Sequence, residues 1–213
     1  MNIADIRKEY SQSKLSRKEV DKNPLVQFKQ WFDEAVSSNI HEPTAMNLCT
    51  VGENGRPSSR IVLLKGIEHD MFVFYTNYNS KKGSDMANNP FVSLTFFWPE
   101  LERQVRVEGQ VKKVPAEMSD TYFASRPRDS RIGAHASPQS QEIKSKSSIL
   151  KDAVLIGTKY MGRDVPRPEH WGGYFVKPDK IEFWQGRPSR LHDRIVYSLP
   201  EENGDWVMSR LAP

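Results

Sequence analysis

The chain has 213 residues, 37% of them hydrophobic and 27% charged, with a net charge of +4. That is long enough to bury the core of one large domain under an ordinary wet surface. It offers no run near the ~20 apolar residues of a bilayer span, no apolar N-terminal leader, and one cysteine, Cys49, which excludes an intrachain disulfide.

Residues 1–22 are polar and charged and read as a short helix followed by a mobile arm, with a single domain over 23–213. Pro24 opens a helical pattern that places Leu25, Phe28, Phe32, Ala35 and Val36 on one face. The period then changes to that of strands, expected over 45–51, 59–65, 71–76, 91–98 and 101–114. Asn54-Gly55 marks a hairpin between the first two, because both residues accept positive φ. Val105, Val107 and Gly109 alternate with Gln104, Arg106 and Glu108, as in a sheet wet on one face. A helix is expected over 115–125, a basic loop over 126–131 and a longer helix over 140–160. Strands over 173–177, 180–185, 190–197 and 206–210 close the chain. Short strands, tight turns and a few helices predict a mainly β fold, an antiparallel barrel with helices packed outside.

Four constellations can carry chemistry. Arg60 and Lys65 bracket the apolar run Ile61, Val62, Leu63 and Leu64, so a buried strand can aim two cations at an anion. A charged-ended edge strand explains the same spacing. Tyr75, Thr76 and Asn77 lead to Ser80, Lys81 and Lys82, which cradle a phosphate if Ser80 caps a helix. Otherwise they are a solvated lysine pair. Tyr122, Arg126, Arg128, Ser130 and Arg131 suit a phosphate ester, and equally an RNA-facing loop or a salt bridge to Asp129. Trp184, Gln185, Arg187, Arg190, Leu191, His192 and Arg194 crowd a hairpin-sized stretch. On a strand, Arg190, His192 and Arg194 would share one cationic face. The modest basic excess fits small phosphorylated ligands. One cysteine and five histidines argue against structural zinc, and the cysteine usage favours a cytoplasmic setting.

Six segments taken together resemble the pyridoxine/pyridoxamine 5′-phosphate oxidase family. They are Arg60 to Lys65, Phe74-Tyr75-Thr76-Asn77, Leu101 to Val105, Ser125-Arg126-Pro127-Arg128-Asp129-Ser130, Ile181 to Gln185, and Arg190-Leu191-His192-Asp193-Arg194. The ending Arg210-Leu211-Ala212-Pro213 fits too, and the resemblance covers nearly the whole chain. It implies a homodimeric split barrel holding flavin mononucleotide (FMN) at the subunit interface. The reaction implied is oxidation of pyridoxamine or pyridoxine 5′-phosphate by dioxygen to pyridoxal 5′-phosphate and hydrogen peroxide. The cofactor set carried over is Arg60, Ile61, Val62, Leu63, Leu64, Lys65, Tyr75, Thr76, Lys81, Lys82, Gln104, Gln139, Ser140, Trp184 and Arg194. Lys65, Tyr122, Arg126 and Ser130 would hold the substrate phosphate, with Arg190, Leu191 and the catalytic pair Arg190 and His192 at the ring. Arg7, Lys8, Glu9 and Tyr10 resemble a segment that folds over the site. Lys81 departs from the arginine usual at its position, exchanging a fork for a point charge. Neither nucleic acid nor membrane is an expected partner. The rival readings are another FMN-binding split-barrel reductase or carrier, and a basic nucleic-acid-binding module.

Overall fold

The structure, a computed structural model, describes residues 2–5, 9–201 and 204–213. Helix α1 (Pro24–Ser37) starts where its sequence says it should. The Asn23 side chain accepts the Leu25 amide at 2.8 Å, and Pro24 occupies the first turn. The helix buries Leu25, Phe28, Trp31 and Ala35, and Phe28 meets Phe72 and Phe96 edge-on, both at 4.9 Å. Val36, expected on that face, is half exposed instead, because Trp31 takes the inward position.

The strands are β1 (Ala45–Val51), β2 (Pro57–Leu63), β3 (Gly66–Glu68), β4 (Met71–Asn77), β5 (Phe91–Trp98), β6 (Arg103–Lys113), β7 (Trp171–Gln185), β8 (Asp193–Ser198) and β9 (Val207–Leu211). All their pairings are antiparallel, in the order β2-β1-β5-β6-β7-β4-β3, with β8 between β7 and β9. Alternation sorts side chains as expected. Val92, Leu94, Phe96 and Trp98 are buried on β5, and Val105 and Val107 on β6.

The two strands expected over 173–177 and 180–185 are one long strand, β7. It pairs with β6 along nearly its whole length, while its other edge is shared. Residues 171–176 pair with β4 and residues 180–185 with β8. The sheet therefore forks at Pro178 and Asp179, opposite a register shift between Glu108 and Gly109. A Cβ on Gly109 would lie 2.1 Å from the Lys177 carbonyl oxygen, so glycine permits this approach.

Helix α2 (Lys81–Asn88) follows β4. Helices α3 (Ala116–Ser125), α4 (Arg128–Ala136) and α5 (Lys146–Lys159) lie between β6 and β7. The expected basic loop over 126–131 is thus mostly helix. Pro127 precedes the first turn and Asp129 lies within it, a favourable helix start. The strand expected from 190 begins only at Asp193. Ser189 and Arg190 take left-handed φ of 55° and 60° in a short 3₁₀ turn, so Arg190 and His192 do not alternate with Arg194 along one strand.

Residues 10–22 lie against the sheet rather than apart from it. The Ser11 and Gln12 amides donate to Glu102 Oε2 at 2.8 and 3.1 Å. The Leu15 amide donates to Asp193, Arg210 donates to the Leu15 carbonyl, and Tyr197 donates to the Asp21 carbonyl. Nearer the N-terminus, Ile3–Asp5 forms a single 3₁₀ turn. Arg7 and Lys8 lie outside the described residues.

Candidate active site

A cleft of about 720 Å³ opens beside β2, β4 and the starts of α2, α4 and β7. It gathers Arg60, Ile61, Val62, Leu63, Lys65, Tyr75, Thr76, Lys81, Lys82, Tyr122, Arg126, Ser130, Gln139 and Ser140, all singled out from the sequence. Leu64 faces the other way. It is buried in the core, and its amide is committed to the Thr44 carbonyl. Asn77, read from the sequence as part of the strand leading to Ser80, also lines the cleft, as do Gly133, Ala134, Ser137 and Trp171, which were not anticipated as site residues.

Ser80 caps α2 as its sequence position predicts, accepting the Gly83 amide at 3.3 Å. This turns the Lys82 ammonium inward among neutral oxygens, Thr76 Oγ1, Ser80 Oγ and Gln139 Oε1, each at 3.2 Å. Burial, aided by the Arg60 charge, pushes the Lys82 amine down to about 8. Such a cation is poised for an anion that the protein does not itself supply.

Arg60 is tied down on β2. Its Nη1 donates to Thr50 Oγ1 at 2.7 Å and to the Ser58 carbonyl at 3.1 Å, and its Nη2 lies 4.0 Å from Asp85. Asp85 is buried and also accepts from Thr50 at 2.7 Å and Lys81 at 3.0 Å. Burial works against its ionisation, but these donors and the Lys81 and Arg60 charges hold it below the usual carboxylate range. Lys81 is thereby committed to Asp85, while Lys82 is left for the cleft. Across the cleft, Arg126 has a buried Nη1 without a hydrogen-bond partner. The second such atom among the described residues is Arg131 Nε, whose guanidinium Nη1 lies 3.7 Å from Asp164. Arg128 turns away, donating to the Tyr160 and Arg163 carbonyls.

The remaining residues of interest form a separate cluster on β6, β7 and β8. Gln104 pairs with Trp184, and Trp184 with Arg194. Trp184 lies 4.6 Å from the His192 ring, and Tyr10 sits edge-on to both. The Arg187 amide donates to His192 Nδ1 at 3.1 Å. Burial and the Arg190 charge hold the imidazole below its usual range. Arg194 is held by the buried Glu182 carboxylate at 2.8 and 3.1 Å. Arg190 and Leu191 are exposed, and Glu9, next to Tyr10, is exposed as well. None of this cluster lines the cleft of its own chain.

Residues 32–159 match the family model described as pyridoxamine 5′-phosphate oxidase. Residues 171–213 match that of the pyridoxine 5′-phosphate oxidase C-terminal dimerisation region. The chain belongs to the pyridoxamine 5′-phosphate oxidase family. A pyridoxine/pyridoxamine 5′-phosphate oxidase of Chromobacterium violaceum is 56% identical over 213 residues, covering 100% of this chain and 99% of that one. One from Mannheimia succiniciproducens is 57% identical, with both chains covered in full. Among solved structures, PhzG of Burkholderia lata, in complex with tetrahydrophenazine-1-carboxylic acid, superposes with a TM-score of 0.88 at 27% identity, covering 95% of this chain and 100% of that one. An FMN-binding protein of Nostoc punctiforme, related to pyridoxamine 5′-phosphate oxidase, shares the fold at a TM-score of 0.70 and 15% identity, covering 91% and 100%.

The forked sheet explains why the cleft draws on such distant segments. β4 and the first half of β7 form one arm, which carries Tyr75, Thr76 and Trp171. Trp171 was missed because a lone tryptophan at a strand start carries no charge or spacing signal. The Gly172-Gly173 pair after it was the available clue. A Cβ on Gly173 would lie 2.7 Å from the Tyr75 ring, so a glycine there reports an aromatic packed on the backbone.

Proposed function

We infer that the protein is an FMN-dependent oxidase that converts pyridoxamine and pyridoxine 5′-phosphates to pyridoxal 5′-phosphate. The observation that carries the reading is a pair of cations in one cleft, the buried Lys82 and the half-buried Arg126 with its buried Nη1, neither in an ion pair with a carboxylate among the described residues. A cleft that must hold two phosphate monoesters needs two such cations. The donor set fits FMN. Arg60, Lys82, Thr76 and Gln139 would receive its phosphate and polar edge, with Lys81 beside them on Asp85, and the strand residues Ile61, Val62 and Leu63 its flat ring. FMN held there would supply the two-electron redox chemistry between C4′ of the substrate and dioxygen. The amine with water and dioxygen then gives pyridoxal 5′-phosphate, ammonia and hydrogen peroxide; the alcohol with dioxygen gives the aldehyde and hydrogen peroxide.

The chain's own residues place the substrate. Lys65, Tyr122, Arg126 and Ser130 grip its phosphate and so fix the ring in near-attack geometry. Arg190 and His192 act at the ring. Because His192 Nδ1 accepts the Arg187 amide, a neutral imidazole carries its proton on Nε2 and donates from there. Since Arg190 and His192 do not line the cleft of their own chain, a second copy supplies them, and the protein works as a homodimer with FMN at the interface. The match of β7 to β9 to a dimerisation region supports this. So do Ile61, Phe91 and Phe97, apolar side chains more than half exposed on β2 and β5. Among the described residues no helix is long and apolar enough to cross a membrane; we place the enzyme in the cytoplasm.

The test is the visible spectrum of the purified protein. A flavin band that pyridoxamine 5′-phosphate bleaches without air, and that air restores with peroxide release, is the expected result. A colourless protein, or a flavin that this substrate leaves unchanged, would overturn the assignment. Arg126→Ala should mainly raise KM and Arg190→Ala mainly lower kcat in steady-state assays.

A further inference from the structure

We propose that Trp171 is a positioning residue for the phosphate grip, acting by holding the Arg126 guanidinium on its ring face. The inference rests on the reading of Arg126 as the arm that meets the substrate phosphate. Several arginines among the described residues are anchored by carboxylates. Arg194 lies on Glu182, Arg167 on Asp120 and Arg103 on Glu34, each in an ion pair. Arg126 has no such carboxylate among the described ion pairs. Its Cζ lies instead 4.6 Å from the centre of the Trp171 ring and 5.4 Å from that of Phe123.

The distinction has a chemical consequence. A carboxylate would hold the guanidinium firmly, but it would also neutralise it and compete with an incoming phosphate. An aromatic face attracts the cation through its quadrupole and leaves the charge and the N–H donors unspent. Arg126 Nη1 is accordingly buried and without a partner.

Trp171 is itself firmly held. It is buried, and Arg167 donates to its carbonyl at 2.8 Å while gripping Asp120 on α3. Its ring lies nearly parallel to Tyr75 and Tyr122, at 5.6 and 6.2 Å, and those two stack at 3.9 Å. Phe123 packs edge-on at 4.9 Å. One indole thus sets Arg126 and sides with Tyr122, two of the groups assigned to the phosphate.

A double-mutant cycle in the FMN-loaded protein tests this, using Trp171→Leu, Trp171→Phe, Arg126→Ala and the doubles. Binding is read by calorimetry with inorganic phosphate and by KM for pyridoxamine 5′-phosphate. Trp171→Leu should weaken phosphate and raise KM about 5- to 10-fold, with kcat and flavin content unchanged. Trp171→Phe should recover most of the loss, and neither change should matter once Arg126 is alanine. Equal effects of Leu and Phe, or the full effect persisting in the Arg126→Ala background, would overturn the proposal. If Trp171→Leu does not fold, Trp171→Phe with and without Arg126→Ala decides the same question by its smaller coupling. Should the wild type bind phosphate but fail to oxidise the substrate, the oxidase reading falls while the phosphate cycle still reads the coupling.

Discussion

Lys82 is 8% exposed and has three neutral oxygens around its ammonium. Its amine, pushed down to about 8 by burial and Arg60, is a cation below that pH and a neutral donor above it. FMN affinity of the apoprotein should therefore fall as pH rises through about 8, since only the cation attracts a dianion. Binding at that pH should take up a proton, because the phosphate draws the amine back to its charged form. Quenching of flavin fluorescence on titration measures both. Lys82→Gln should weaken FMN about 10- to 100-fold and flatten the pH dependence. Lys81→Ala should cost less than about threefold, because an exposed ammonium paired with Asp85 contributes little. If the two lysines prove equivalent, the division of labour that Asp85 imposes is wrong.

At the scale of elements, Glu102 and the fork in β7 matter most. Glu102 is buried in a left-handed turn, and its carboxylate meets the Ser11 and Gln12 amides. Glu102→Ala should free residues 10–15 and speed their amide hydrogen exchange, at a cost of about 1–3 kcal/mol. Protection unchanged in that stretch would show that the other ties suffice. Gly109→Ala should cost a similar ~1–3 kcal/mol by forcing the bulge apart, seen as a lower urea midpoint with an unchanged slope.

Alternation and turn chemistry made most strands readable in advance. The 91–98 strand was read to the residue, and Ser80 was recognised as a conditional cap. What local pattern could not give was anything decided by a distant partner. β7 reads as two strands because Pro178 and Asp179 look like a turn, yet β6 runs on past them and keeps the strand whole. Arg190 looked like a strand residue until Ser189 took positive φ. In the cleft, charged residues announced themselves, whereas Asp85, Thr50 and Trp171 act by orienting others and show nothing in one dimension.

For the molecule as a whole, the division between cleft and hairpin cluster predicts intermolecular complementation. Arg126→Ala and Arg190→Ala homodimers should each be impaired. After subunit exchange, half the dimers would be mixed, each with one intact site, restoring about a quarter of wild-type activity. No recovery after exchange, verified by mass spectrometry of tagged chains, would place both residues in one protomer's site.

The forked strand has a consequence for how the chain can be divided. One matched region ends at Lys159 and the other opens at Trp171, as though a catalytic piece ended and an assembly piece began. Yet the same continuous backbone that opens the second piece completes the wall of the cleft and only then continues to β8. Severing the gene at that seam would yield no self-sufficient monomeric catalyst, because pocket and oligomer are built on one shared beam.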